Sequence, residues 1–180
     1  MDVLVVIDMQ VGLLMGAPKH DLQGVINRIN RLAAVIRERG GIVIWIQHCG
    51  PQGTEFAPGQ PNWHLLPELQ HADIDVVVAK TLNDAFAKTD LQSILQQLAP
   101  QRLLVAGWAT DFCVDATLRS AVSRGYHVIA VSDAQTLADR PHLDAASVIR
   151  HHTWVWANLI TSASIRVATT EQLLAELHAA

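Results

Sequence analysis

Five short stretches of this chain are almost unbroken in apolar character: Val3–Ile7, Ile42–Ile46, Val76–Ala79, Leu103–Ala106 and Val128–Val131. A strand wetted on one side alternates, so unbroken runs predict strands covered on both faces. Between them the spacing becomes helical. Leu22, Val25, Ile26, Ile29, Leu32, Ala33 and Ile36 share one helical face, which closes at Gly40-Gly41. Thr89-Asp90-Leu91-Gln92 has capping-box form ahead of Ile94, Leu95 and Leu98, with Pro100 just beyond. Further helices are expected from Cys113 to Arg124, stopped by Gly125, from Pro141 to about Leu159, and from Thr170 onward. A sixth short strand over Ile165–Ala168 completes the series. Alternation of this kind predicts an α/β fold, a parallel sheet with helices on both faces, in one domain spanning residues 1–180.

The segment from Cys49 to His71 breaks the rhythm. It is rich in Pro, Gly and Gln and carries Phe56, Trp63 and His64. A loop that long in a compact domain is usually functional, and its aromatic residues predict an ordered lid or interface segment.

Composition narrows the class. Half of the residues are apolar and 17% are charged, which suits a globular chain with a sizeable core. A net charge of −4 without a basic run argues against nucleic-acid partners and anionic membrane surfaces. No apolar run reaches membrane-spanning length and no basic segment precedes the first strand, so a soluble cytoplasmic protein is expected. The two cysteines, Cys49 and Cys113, do not form a secreted framework, although one long-range disulfide remains open.

In open parallel sheets, ligands bind beyond the carboxyl ends of the strands. Asp8 and Gln10 follow the first run, Gln47 and His48 the second, Lys80 the third, Gly107 through Cys113 the fourth and Ser132-Asp133 the fifth. A carboxylate, an amine and a thiol therefore meet at one edge. Singly, each has a plain alternative: an aspartate that caps a turn, a lysine that reaches solvent, a cysteine that fills core. Together they point to a site. A cysteine opening a helix lies among free N–H groups and the positive end of the helix dipole, which favour thiolate and can hold an oxyanion.

Val5-Val6-Ile7-Asp8-Met9-Gln10, then Lys80 with Ala85-Phe86 and Thr89-x-Leu91, then Val105 through Val114 with Cys113 inside, resemble the isochorismatase-like cysteine hydrolase superfamily. Thr117, Ala121, Gly125-Tyr126 and Val131-x-Asp133-Ala134 extend the resemblance over nearly the whole chain, in the family's order. The resemblance implies a three-layer α/β/α sandwich, Rossmann-like, around a parallel six-stranded sheet. It places the family's catalytic triad on Asp8, Lys80 and Cys113, and implies a cis peptide at Trp108–Ala109. In the amidase members Cys113 would attack an amide carbonyl and Asp8 would take its proton and pass it to the departing amine. Lys80 would keep Asp8 ionised and favour charge on sulfur, and the N–H groups of Ala109 and Cys113 would hold the oxyanion.

Isochorismatases proper cleave a vinyl ether without the cysteine, so Cys113 implies the amide-hydrolase branch, with ether cleavage as one alternative and a non-catalytic binding protein as another. The nicotinamidase metal motif, Asp-x-His, is missing; its place reads Gln47-His48-Cys49-Gly50. His48, His64 and His71 read as ordinary loop histidines, an improvised metal cluster with Cys49 being the lesser reading. No cofactor or metal is therefore expected. By position, Gln10, Leu13, Phe56, Trp63, Asn83, Phe86 and Trp108 are candidate pocket walls around a small, largely neutral amide, each with ordinary packing as its alternative. The expected partner is a small-molecule substrate, and the family resemblance implies a homo-oligomer, dimer or tetramer.

Overall fold

The computed structural model describes residues 1–179. The strands are β1 (Asp2–Ile7), β2 (Ile42–His48), β3 (Val76–Lys80), β4 (Arg102–Trp108), β5 (Val128–Thr136) and β6 (Ile165–Ala168). They pair in the order β3-β2-β1-β4-β5-β6, parallel throughout. The helices are α1 (Val11–Leu14), α2 (Leu22–Glu38), α3 (Leu91–Leu98), α4 (Asp115–Ser123), α5 (Ala145–Ala157) and α6 (Thr170–Ala179).

Alternate strand residues go to opposite layers, which is why the strands read as unbroken apolar runs. Leu4, Val6, Val43, Trp45, Leu104 and Ala106 pack with the apolar stripe of α2 and with Leu173, Leu174 and Leu177 of α6. Val3, Val5, Ile7, Ile44, Ile46, Val78 and Val105 pack on the other face, with Leu91 and Leu95 of α3, Leu118 and Ala121 of α4, and Trp156 of α5. That second layer holds Cys113.

Where β1 and β4 end, the sheet is tightest. Gly107 has φ +121°, and a Cβ there would lie 2.2 Å from the Ile7 carbonyl oxygen, so no other residue fits beside β1. The β4–β5 register shifts between Val105 and Gly107, and β5 runs on to Thr136, five residues past the expected strand. Such a bulge re-aims the chain that follows.

Three local expectations need correction. The Thr89–Gln92 capping box does not form: Asp90 precedes α3 without a side-chain cap, and the Thr89 hydroxyl accepts from Leu91 N instead. Helix α5 starts at Ala145 rather than Pro141, because Arg140 and Leu143 pair as an antiparallel bridge and Asp144 supplies the cap, accepting from Ser147 N at 2.7 Å. The helical stretch around Cys113 opens at Thr110, as a five-residue π turn (Thr110–Val114) that feeds α4.

The Cys49–His71 segment is tied down along its length. Gln10 bridges Leu65, Val11 N donates to His64 O, and Leu66 N donates to Met9 O. Its far end is held by Arg37, which donates to Gln70 O at 2.8 Å and, just beyond the segment, to Asp75 at 2.6 and 2.8 Å; Asp75 also accepts from the Trp45 indole at 2.8 Å. Cys49 and Cys113 are both free thiols. Among the described residues no helix is long and apolar enough to cross a membrane.

Candidate active site

Strand ends deliver the three central groups. At the end of β1, Asp8 adopts φ +51°, a left-handed conformation uncommon for a residue with a side chain. The turn is closed by Gln10 N donating to Asp8 O at 2.8 Å. Lys80 ends β3 and Cys113 lies in the π turn after β4. Lys80 Nζ stands 2.6 Å from Asp8 Oδ2 and 3.3 Å from Cys113 Sγ, so one amine bridges carboxylate and thiol. Asp8 is 0% exposed, Lys80 2% and Cys113 7%.

Second contacts fix these positions. Arg140 makes a two-pronged ion pair with Asp111, at 2.6 and 2.7 Å, and lies over the Phe112 ring, which holds the π turn from the β5 side. The Ala109 carbonyl accepts from the N–H groups of Phe112 and Val114. The Trp108–Ala109 peptide is cis, at the place the resemblance implies. From the other side, Thr117 of α4 accepts from Ala85 N at 3.0 Å and so fixes the turn that carries Asn83. Asn83 Oδ1 then lies 3.8 Å from Cys113 Sγ.

The electrostatics differ from the expectation of a resting thiolate. Burial, and after it the neighbouring Asp8 charge, push the Cys113 thiol up to about 12, against the opposing pull of Lys80. Burial also raises the Asp8 carboxyl above the usual carboxylate range, outweighing the lowering by Lys80. The resting sulfur is therefore a protonated thiol beside a carboxylate more basic than an ordinary one. Nearness to a helix start does not win against loss of water.

The structure sorts the candidate pocket walls. Phe56 comes to the end of β2 beside Lys80, its ring 6.3 Å from the ring of His48, which pairs with Lys80 in register. Gly12 makes room for it: a Cβ there would meet Phe56 at 2.8 Å. Asn83 is beside the sulfur, and Leu13 is half-buried on α1. Four others are turned elsewhere. The Gln10 amide is consumed within the fold, donating to the carbonyls of His48 and Trp63 and accepting from His48 N at 2.7 Å. Trp63 donates its indole N–H to Cys49 Sγ at 3.1 Å and lines a cleft of about 270 Å³ with Trp45 and Gln47, on the α2 side of the sheet. Phe86 stacks on Tyr126 and lies under Arg124. The Trp108 side chain packs toward the α2 layer and Leu137 rather than toward Cys113. Among the described residues no group of three His, Cys, Asp or Glu side chains is placed to hold a metal, so His48, His64 and His71 do not converge.

A six-stranded parallel sheet with a buried Asp–Lys–Cys cluster beyond its strand ends is an α/β arrangement of the kind that binds small molecules at the carboxyl edge, and comparison with known proteins narrows it. Residues 2–164 match the isochorismatase domain, and the chain belongs to the isochorismatase family. A streptothricin hydrolase of Streptomyces noursei is 33% identical over 139 residues, 77% of this chain and 50% of that protein, so the chain spans about half the length of that relative. The ureidoacrylate amidohydrolase RutB of Methylorubrum extorquens is 28% identical, with 94% of this chain and 84% of that protein covered. The crystal structure of an isochorismatase family protein superposes with a TM-score of 0.85 at 31% identity, covering 93% of this chain and 98% of that one.

Proposed function

We propose that this protein is a cysteine-dependent hydrolase that cleaves the C–N bond of a small amide, ureide or carbamoyl compound, with Asp8, Lys80 and Cys113 as its catalytic groups. The observation that carries this reading is the Lys80 amine standing 2.6 Å from the Asp8 carboxylate and 3.3 Å from the Cys113 sulfur in a buried setting. Similarity to streptothricin hydrolase and to ureidoacrylate amidohydrolase supports it.

The chemistry follows from the charge state of the site. As Cys113 Sγ bonds to the carbonyl carbon, its proton passes to Asp8, which burial has made more basic. The carbonyl oxygen takes the electron pair, and the N–H groups of Ala109 and Cys113 receive it. The tetrahedral adduct collapses, the C–N bond breaks, and the amine departs with the proton held by Asp8. Water then adds to the thioester carbon, loses a proton to Asp8, and the C–S bond breaks to release the acid and restore the thiol. The Lys80 amine stays within reach of both partners, 2.6 Å from Asp8 and 3.3 Å from Cys113, while the proton moves between them.

Ammonia or amine release across a panel of small amides, ureides and carbamoyl compounds tests the reading, together with mass spectrometry of the protein during turnover. A transient acyl mass on the Cys113 peptide is expected, and Cys113→Ala should abolish turnover with the melting temperature retained. Pyruvate release from isochorismate without amine release from any compound in the panel would place the chain with the ether-cleaving members instead.

A further inference from the structure

The site contains a titratable side chain that the mechanism above does not use. His48 ends β2 in register with Lys80 of β3, so both side chains leave the same face of the sheet, on strands that neighbour at about 4.8 Å. Its backbone is held on both sides by the buried Gln10 amide, which accepts from His48 N at 2.7 Å and donates to His48 O at 3.0 Å. The ring is therefore aimed by a fixed strand end rather than by a mobile loop. Phe56 of the lid closes one side of it, edge to face.

The charged groups that face the ring are Asp8 from β1 and Lys80 from β3, and both act on it electrostatically. The Cys113 thiol lies 3.3 Å beyond the Lys80 amine. Glu55, next to Phe56 in the lid, is engaged with Asn62 at 3.0 Å. Lys80 is already spent on Asp8, and among the described residues no other cation acts on the His48 ring, so a substrate meets no free positive charge at this place. His48 is half-buried, placed between that ion pair and the lid, and is the group able to change this.

We propose that His48 selects the charge of the molecule admitted to Cys113: with its ring neutral the site takes uncharged compounds, and with its ring protonated it draws in carboxylate- or sulfonate-bearing ones. As to substrate class, the inference rests on the hydrolase reading and narrows it to neutral amides at neutral pH. Burial first, and Lys80 after it, hold the ring below the usual histidine range, with Asp8 opposing, so the neutral form prevails at pH 7 and the anion-accepting form belongs to the acid side.

Two small thiol reagents of different charge test this without any substrate. Methyl methanethiosulfonate is neutral and sulfonatoethyl methanethiosulfonate is anionic; with each, the Cys113 sulfur bonds to the sulfenyl sulfur and methanesulfinate leaves. Rates at Cys113 are read from its peptide by mass spectrometry, and the ratio of anionic to neutral rate cancels the thiolate fraction. The expected result is a ratio that rises about fivefold between roughly pH 7.5 and pH 5.5 in the unaltered protein. His48→Gln, and His48→Phe, which keeps a ring against Phe56, should both flatten it. A ratio that stays flat in the unaltered protein, or that rises equally in both variants, overturns the proposal. Because modification needs no turnover, a rising ratio in a protein inactive on every amide would sink the hydrolase reading and leave His48 in place. An active amidase with a flat ratio would do the reverse.

Discussion

Asp8→Asn removes one charge from the centre of the site while leaving its shape intact, and two consequences pull in opposite directions. At pH 8, a thiol that titrates at about 12 is ionised in roughly one molecule in 10,000. Burial causes the largest part of that rise, and the asparagine does not relieve it. The Asp8 charge and its contact with the thiol cause the next part, and these vanish in the variant, whereas Lys80 still favours the thiolate from 3.3 Å. Each unit of fall in the thiol pKa is worth tenfold in thiolate, about 1.4 kcal/mol. Iodoacetamide should therefore modify Cys113 of Asp8→Asn about tenfold faster, or more, at pH 8. Turnover should fall by about 10²–10⁴-fold, the usual worth of a positioned acid–base group. The variant also leaves Lys80 buried without its carboxylate, a loss of about 3–5 kcal/mol, so both measurements belong well below its melting temperature. Faster alkylation with lost turnover separates a base from a mere charge partner. Alkylation that slows along with turnover would show that Asp8 does not hold the sulfur protonated, and the reasoning would fail.

Two further predictions concern the frame. Asp75 would be raised by its burial, but Arg37, the Trp45 indole and the Ala72 N–H outweigh this and hold it below the usual carboxylate value. Its contribution is present above the unfolded value near 3.8 and is lost as pH falls through the lower folded one. Asp75→Asn should cost about 2–4 kcal/mol at pH 7, and urea unfolding should show the gap from the unaltered protein closing toward pH 3; a constant gap would refute the assignment. Gly107→Ala places a methyl group 2.2 Å from the Ile7 carbonyl oxygen at φ +121°. The atoms it meets are all Ile7 backbone, which has no room to yield, so a loss above about 3 kcal/mol is expected in denaturant titration, and a change under about 1 kcal/mol would contradict the packing described.

The strands were legible because burial on both faces leaves a plain trace, a run such as Val3–Ile7 without a polar break. The positions of Asp8 and Lys80 were legible for the same reason, since a strand's end can be counted from its run, and Cys113 was legible from the Gly107 turn and the helical pattern that follows β4. Which way neighbouring side chains point was not. At the ends of β2 and β4 successive residues go to opposite layers, so Trp63 docks on Cys49, on the far side from His48, and Trp108 turns toward α2 although Cys113 follows closely. Gln10 reads as a polar group free for a ligand, yet its partners at His48 and Trp63 are 38 and 53 residues away. The π turn at Thr110 left no mark because its residues keep helical spacing. The thiol's high pKa depends on how tightly the layers close over it, which no local pattern records.

Asp8, Lys80 and Cys113, the groups proposed to react, belong to strand ends and to one turn braced from both sides, whereas what surrounds them is carried by the 49–71 segment, by the turn at 81–90 and by the stretch after β5. On the proposed reading, the attacking sulfur and its partners rest at the sheet's edge, while most of what a bound molecule would touch is carried by these connections, His48 being the exception. Because the same connections also brace the turn around Cys113, through Arg140 on Asp111 and Ala85 on Thr117, any exchange of them to alter specificity would have to keep those two contacts.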